Sequence, residues 1–167
     1  SFFYPSVSLA YDMHELFVKD NDIFTFGKLR GSWAEVGKGP GFAETGSYFV
    51  KDGNFPFNGA GGYRASTVIG DEFIVPEKNK SFEVGADFRF FNNRLRFDYA
   101  YYKTRVKNQI FTVGTSHSSG ISGVVRNAGD FETSGHELLI SYDIIRTEDF
   151  KWETIFNWST NQGKVLS

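Results

Sequence analysis

Acidic and basic residues that recur at alternate positions are the first residues of this sequence whose types and spacing suggest chemistry. Two carboxylates that face one another are the arrangement with which glycosidases cleave a sugar bond. The residues concerned are Glu83, Asp87, Asp98 and Glu137, with Arg89 and Arg96 among them. Because the arginines share the spacing, the carboxylates are better explained as ion-pair partners along one polar face. We therefore predict a ladder of charges and no catalytic residue.

The histidines and the remaining acidic residues do not predict a metal or cofactor site. His14, His117 and His136 are widely scattered along the chain. Asp20-Asn21-Asp22 resembles the start of a calcium loop, but neither the glycine nor the final glutamate follows at the required spacing. Surface histidines and a solvated turn explain these residues, so we expect no metal and no cofactor.

The charged residues belong to segments in which apolar and polar side chains alternate, as they do in β-strands with two different faces. Between Pro76 and Tyr102 this pattern occupies 82–91 and 94–103. Asn92-Asn93 separates the two runs, and asparagine tolerates the positive φ of a two-residue hairpin turn. The same alternation is found in 6–11, 28–36, 135–144 and 151–159. We predict an all-β fold with six antiparallel strands.

The hairpin at 82–102 has one apolar face and one charged face. With a two-residue turn, like charges on the charged face oppose one another directly. We therefore expect the diagonal pairs Asp87–Arg96 and Arg89–Asp98 to form instead. Such a face needs water or another polar surface beside it.

Composition excludes several classes of protein. The 167 residues carry a net charge of −2, which gives no general attraction to nucleic acid or to anionic lipid. The sequence contains no cysteine, so disulfide and thiolate chemistry are excluded. No run approaches the roughly 18 apolar residues of a membrane helix. A membrane β-barrel stays open, because its strands show only alternation over about 10 residues.

The connections between the predicted strands differ in length. Long connections at 38–75 and 103–133 alternate with short ones at 92–93 and 145–150, whereas 12–27 is longer than this rhythm predicts. Alternate connections of an antiparallel sheet lie at opposite ends of the strands. Short periplasmic turns and long extracellular loops are typical of outer-membrane barrels.

A soluble β-sandwich is the alternative, because its strands also alternate. Strand length favours the barrel, since soluble strands have about 5–6 residues and tilted membrane strands about 9–11. Under the barrel hypothesis each face has a predicted environment. The residues predicted to face the lumen are Glu83, Asp87, Arg89, Arg96, Asp98 and Glu137. Those predicted to face lipid or to form aromatic girdles are Trp33, Phe88, Phe97, Tyr101, Trp152 and Trp158.

The long connections are the better candidates for ligand binding. Sugars and peptides are commonly held by aromatic faces beside polar groups. The candidate contacts are Tyr48, Phe49, Phe55, Phe57 and Tyr63. Packing of these rings within the loop, or against a covering protein, is the alternative. The small-residue tract 115–123 is expected to be a mobile loop, because it buries little and loses much entropy on ordering.

Four segments carry a resemblance to a known family. They are VPEKNKSFEVG with RFFNNRL (75–85 and 89–95), NAGDFETSGHEL (127–138), FKW with FNWS (150–152 and 156–159), and FGKLRGSW with VG (26–33 and 36–37). In their order along the chain they resemble the SusC/RagA family of TonB-dependent outer-membrane transporters. Thr133 stands where that family usually has asparagine.

The resemblance implies a fold and a function. It implies a partial outer-membrane β-barrel domain over 1–167, with about six of the roughly 22 strands of a plugged barrel. Six strands cannot close, and no plug or TonB box is recognised here, so we expect the chain to work within a longer polypeptide. The expected function is uptake of glycans or peptides across the bacterial outer membrane, without enzymatic activity. The implied partners are a SusD-like surface lipoprotein, TonB through an N-terminal region that is not present, and membrane lipid, but no nucleic acid. A soluble carbohydrate-binding sandwich and a passive porin remain the alternatives.

Overall fold

The strands predicted from alternation form one six-stranded sheet. The computed structural model describes residues 3–13, 23–54 and 58–166. The strands in this part of the chain are β1 (Ser6–Asp12), β2 (Phe24–Lys38), β3 (Phe49–Lys51), β4 (Tyr63–Ala65), β5 (Val68–Ile69), β6 (Glu77–Phe90), β7 (Leu95–Lys107), β8 (Ile110–Gly114), β9 (Gly123–Asn127), β10 (Phe131–Arg146) and β11 (Lys151–Val165). The large sheet has the order β1-β2-β6-β7-β10-β11. Its edge strands are β1 and β11, so these six strands do not close on themselves.

All six predicted strands are present, but most extend further than their alternation indicates. The run 28–36 belongs to β2, which begins at Phe24. Of the run 82–91, residues 82–90 belong to β6, which begins at Glu77, whereas Phe91 lies in the turn with φ of 54°. The predicted connection 12–27 is therefore wrong for residues 24–27, which belong to β2. The added start of β6, EKNKS at 77–81, carries three charged residues, which hide the apolar period without preventing ladder formation. Among the described residues no helix is long and apolar enough to cross a bilayer.

The pairing of β1 with β2 shows that each face of the sheet continues from strand to strand. Val7 pairs with Trp33 and Leu9 with Gly31, while Ala10 pairs with Arg30. Directly paired residues of an antiparallel ladder point to the same side. The apolar residues of both strands therefore share one face, as predicted, and Arg30 lies on the other.

The turn between β6 and β7 confirms the predicted role of the two asparagines. Arg94 N donates to Phe91 O at 3.1 Å, which closes a four-residue turn. Asn92 and Asn93 have φ of 55° and 64°. Positive φ at both central residues is the conformation that matches the twist of a hairpin. Asn92 N also donates to Thr25 Oγ1 at 2.9 Å, which ties the turn to β2.

The sheet has little core. In the described part of the chain the buried apolar residues are Ala100 and Val125, and no large side chain is completely buried. Apolar side chains along the strands are exposed instead, among them Leu9 at 75% of its surface. An exposed apolar surface of this extent requires lipid or another polypeptide to cover it.

The chain divides into two compact units. Unit 1 comprises Ser1–Val36, Asn79–Arg105 and Glu132–Val165, and unit 2 comprises Gly37–Lys78, Val106–Phe131 and Leu166–Ser167. Unit 1 holds most of the large sheet.

Unit 2 contains most of the two long predicted connections, which are not structureless. The prediction 103–133 is wrong at its ends, because β7 continues to Lys107 and β10 begins at Phe131. It contains the antiparallel pair β3-β4 and a second small sheet in the order β5-β9-β8. In this second sheet β5 and β9 run parallel, with Val68 beside Gly123. The tract 115–123, expected to be mobile, includes a short 3-10 helix at His117–Ser119. Ser122 N donates to Thr67 O at 2.7 Å, so this tract is bonded to the other long connection.

Candidate functional site

The charged face is the polar side of the large sheet in unit 1. It is defined by Arg30, Glu83, Asp87, Arg89, Arg96, Asp98 and Glu137. All of these except Glu83 line one open depression of about 610 Å³, together with Ala100, Leu138, Leu139, Asn157, Trp158 and Ser159. The structure thus brings together five of the six residues predicted as a lumen-facing ladder.

Arg30 is the member of the charged face that the sequence prediction missed. Its guanidinium forms two hydrogen bonds with the Asp98 carboxylate, NH1 to Oδ2 at 3.2 Å and NH2 to Oδ1 at 2.9 Å. Arg30 Nε also lies 3.8 Å from Glu83 Oε1. A fork of two parallel bonds fixes the orientation of both groups. In the sequence, Arg30 lies between Leu29 and Gly31, and this alternation indicates that Arg30 is on the polar side of the strand.

The predicted diagonal pairs Asp87–Arg96 and Arg89–Asp98 are wrong. Asp98 is bonded to Arg30, and Asp87 is bonded to Arg89 of its own strand, with Arg89 NH2 at 3.1 Å from Asp87 Oδ2. The Arg89 guanidinium also lies over the Phe26 ring, 4.6 Å from its centroid. A long arginine side chain can lean along its strand onto an aromatic ring, and this contact competes with the diagonal partner.

Arg96 and Glu137 complete the depression without strong partners of their own. Both side chains are exposed. Among the described residues neither forms a hydrogen bond or an ion pair. Arg96 interacts electrostatically with Glu153 of β11, but without a direct ion pair. Arg96 and Glu137 are therefore the charges of this face that remain available to a polar group entering the depression.

A second polar cluster joins β10 to β11 near their connecting turn. Lys151 Nζ lies 3.2 Å from Asp143 Oδ1 and 3.1 Å from Glu153 Oε2. Ser141 Oγ donates to Glu153. Asp143 is only 2% exposed, so its charge depends on these partners. The sequence indicated only that Ser141 and Asp143 share a face.

The predicted outward-facing aromatic residues are partly exposed. Trp152 and Trp158 are among the exposed residues, and Trp33 pairs with Val7 on the apolar face. The Tyr101 ring lies 5.0 Å from the ring of His136. Phe88 lies 6.0 Å from Phe24.

Lipid contact stays a prediction for all six of these residues. Phe97 is half-buried on β7. Trp158 also borders the depression, between Asn157 and Ser159.

The aromatic residues predicted to contact a ligand belong to unit 2. The β3-β4 register pairs Phe49 with Ala65 and Lys51 with Tyr63. Phe49 and Tyr63 therefore project from the same side of this hairpin, and they are 76% and 75% exposed. Tyr48 is half-buried. Phe55 and Phe57 lie outside the described residues.

Two further polar residues hold the long connections of unit 2 together. The Asn127 side chain accepts from Val75 N at 3.0 Å and donates to Val75 O at 2.9 Å and to Asn108 O at 2.7 Å. Glu77 Oε1 accepts from Ile110 N at 2.8 Å. Both residues stand in segments singled out in the sequence, and their contacts show a structural role.

The described residues offer no metal-binding group. No three His, Asp or Glu side chains of this part of the chain come together closely enough to hold an ion. His14 and Asp20-Asn21-Asp22 lie outside it. His136 Nδ1 is bonded instead to Tyr99 Oη at 2.7 Å.

Comparison with known proteins places this arrangement in a family. The family described as "TonB dependent receptor-like, beta-barrel" matches residues 1–165. The chain belongs to this family. The segment of receptor barrel is 30% identical to TonB-dependent receptor P3 of Formosa agariphila over 98% of its length. It is 28% identical to TonB-dependent receptor SusC of Bacteroides thetaiotaomicron over 97% of its length.

Solved structures share the fold of this receptor segment. A structure of the RagAB peptide transporter superposes with a TM-score of 0.82 at 21% identity, covering 97% of this chain and 18% of that one. The siderophore receptor PirA from Pseudomonas aeruginosa gives a TM-score of 0.58 at 17% identity, covering 95% of this chain and 25% of that one. The chain spans 17% of the length of both P3 and SusC.

These matches confirm several predictions made from the sequence. The resemblance to SusC/RagA, the all-β barrel-segment fold and the location in the outer membrane of a Gram-negative bacterium are confirmed. The soluble sandwich receives no support. The relatives are named as receptors and transporters, and no enzyme is among them.

Proposed function

We propose that this chain forms part of the wall of a TonB-dependent importer of glycans or peptides and has no enzymatic activity. The observation that carries the proposal is the contrast between the two faces of one sheet in a member of this family. One face of the sheet exposes apolar side chains such as Leu9, and the opposite face is the charged face.

The contrast specifies an orientation in the membrane. An arginine or lysine that faces lipid costs about 2–4 kcal/mol at the bilayer midplane. Turning Arg30, Arg89 and Arg96 outward would therefore be strongly unfavourable, whereas burial of the opposite face in lipid is favourable. We infer that the apolar face contacts lipid and that the charged face lines the lumen.

The long connections, 38–75 and 103–133, then lie at the extracellular rim. Their hydrogen bonds within unit 2, such as Asn127 to Val75, support a shaped surface. Phe49 and Tyr63 expose aromatic faces there. We infer that this surface contacts the imported molecule, with Tyr48, Phe55 and Phe57 as further candidates.

The partners follow from the relatives and not from contacts of this chain. A SusD-like surface lipoprotein is the inferred partner because SusC is among the matches, and the RagAB structure is that of a peptide transporter. TonB is the inferred source of energy, acting through parts of the protein outside this chain.

Labelling of neighbouring residues tests the orientation. Because this segment contains no cysteine, Glu83→Cys and Val84→Cys each introduce one thiol into it, on opposite sides of β6, and the unsubstituted protein gives the background labelling. In outer membranes that contain the native protein, a water-soluble maleimide should react with the thiol at position 83. A lipid-soluble maleimide should react preferentially with the thiol at 84. Equal reaction of both with the water-soluble reagent, or recovery of the protein in the soluble fraction, would contradict the proposal.

Growth tests the transport function. A strain that lacks the gene should lose growth on particular glycans or peptides while retaining growth on small sugars that pass through porins. Restoration by the intact gene is the control. Unchanged growth on a broad panel of glycans and peptides would argue against import of these substrates.

A further inference from the structure

The Arg30 side chain crosses over a neighbouring strand to reach its partner. Arg30 lies on β2 and Asp98 on β7, and β6 runs between these strands in the sheet. Both hydrogen bonds of the guanidinium nevertheless reach the Asp98 carboxylate. The side chain must therefore pass across the face of β6, where a side chain would normally stand.

Gly85 occupies the crossing point. A Cβ atom at this position would lie 2.7 Å from Arg30 Nε and 2.9 Å from Arg30 Cζ. It would also lie 3.0 Å from the backbone oxygen of Tyr99. Gly85 is buried even though it stands on the charged face. We infer that Gly85 is a positioning residue, which leaves space for Arg30 to cross β6 and hold Asp98.

The neighbouring glycine of β2 does not have this role. A Cβ on Gly31 would meet only Glu83 O at 3.8 Å and Val84 Cγ1 at 3.9 Å, which are ordinary contacts. Gly31 therefore provides a matched control for the loss of a glycine in a central strand, and its replacement removes no space that Arg30 uses.

Gly135 is a contrasting case, in which backbone atoms would obstruct an added Cβ atom. A Cβ on Gly135 of β10 would lie 2.5 Å from Tyr102 Oη but also 2.2 Å from the backbone oxygen of Thr160. Removal of the tyrosine ring would leave the backbone clash in place. At Gly85 the two closest atoms belong to the flexible Arg30 side chain, and the backbone oxygen of Tyr99 at 3.0 Å is a tight contact but a far milder one than at Gly135. Removal of Arg30 therefore removes most of the obstruction at Gly85.

The crossing decides which charges of the face are neutralised. Arg30 contacts Asp98 and lies close to Glu83, while Arg89 bonds Asp87. Without Arg30, the Asp98 and Glu83 carboxylates lose their cation. With Arg30 held in place, Arg96 and Glu137 are the charges left available. That these available charges face a transport lumen rests on the proposed function. The crossing of β6 by Arg30 does not depend on that proposal.

A double-mutant cycle tests the role of Gly85. The variants are Gly85→Ala, Arg30→Ala, the two combined, and Gly31→Ala, each in the native protein in isolated outer membranes. The measurement is the temperature at which the folded band is lost on gel electrophoresis. We expect Gly85→Ala to lower this temperature clearly and Gly31→Ala to leave it within error. We expect the combined variant to match Arg30→Ala alone, because the alanine methyl then occupies vacated space.

Two results would overturn the inference. One is an additive loss in the combined variant, which would mean that the methyl group clashes with the backbone and not with Arg30. The other is a Gly85→Ala protein as stable as the wild type. If Gly85→Ala does not reach the membrane, the amount of folded protein becomes the measurement. Recovery on adding Arg30→Ala then supports the inference, and absence of recovery opposes it. Because the double-mutant cycle needs no substrate, its result can be interpreted even if the proposed transport function is wrong.

Discussion

The side-chain amide of Asn127 bonds both backbone groups of Val75, as a neighbouring strand would. Its Oδ1 accepts from Val75 N and its Nδ2 donates to Val75 O, and the same nitrogen reaches Asn108 O. One residue of the second long connection thereby fixes the end of the first. Two segments that resemble family motifs, 75–85 and 127–138, meet at this contact.

Replacement of Asn127 should loosen unit 2 more than it destabilises the sheet. Asn127→Ala removes three hydrogen bonds, but the Val75 groups are accessible enough for water to replace part of them. We expect proteolysis within 38–75 on intact cells to rise several-fold, with little change in overall unfolding. Asn54→Ala is the control, because the Asn54 side chain makes no hydrogen bond among the described residues. Equal cleavage of both variants would contradict the role of Asn127.

Glu77 should matter through its hydrogen bond and not through its ion pair. The ion pair joins Glu77 Oε2 to Lys38 Nζ at 3.8 Å. The Glu77 side chain is 12% exposed, whereas that of Lys38 is 73% exposed. A buried N–H without a partner costs about 1–3 kcal/mol, whereas an exposed ion pair contributes less than about 1 kcal/mol. Glu77→Ala leaves the half-buried Ile110 N without its acceptor, so it should lower the free energy of unfolding by about 1 kcal/mol, the lower end of that range.

Matched variants separate the two contributions of Glu77. Glu77→Gln retains an acceptor for Ile110 N and should recover most of the stability in a denaturant titration. Lys38→Ala should have almost no effect. A loss on Lys38→Ala as large as that on Glu77→Ala would show that the ion pair dominates.

The parts of the fold that the sequence predicted are those with local signals. Period-two alternation identified all six long strands and the two sides of β6. The short strands of unit 2 were not predicted, because each has too few residues to show a period. They also pair with residues far away in the sequence, as Val68 does with Gly123.

The charge partners were mispredicted for a related physical reason. The predicted pairs join neighbouring strands of one hairpin, whereas Arg30 reaches across β6 to Asp98. A glycine between charged residues on the polar side, such as Gly85, was the available signal of a crossing.

The asparagine turn should respond to backbone preference alone. Asn93 has φ of 64°, a conformation that glycine adopts freely and that β-branched residues strongly disfavour. Asn93→Gly should leave the unfolding midpoint unchanged or slightly raised. Asn93→Val should cost about 1–2 kcal/mol, measured as a lower midpoint in denaturant. Equal midpoints for the glycine and valine variants would show that this turn does not hold its conformation in solution.

The aromatic pair of the β3-β4 hairpin should govern ligand affinity if the rim contacts the imported molecule. Phe49 and Tyr63 stand on one side of the hairpin, and both rings are free to stack on a sugar or a peptide group. Each alanine variant should raise the half-saturating ligand concentration for uptake by about tenfold, which corresponds to about 1.4 kcal/mol. Phe42→Ala is the control, since this ring is fully exposed but lies outside the hairpin. A similar loss for Phe42→Ala would indicate a general disturbance of unit 2, and unchanged uptake for both hairpin variants would remove Phe49 and Tyr63 from the binding surface.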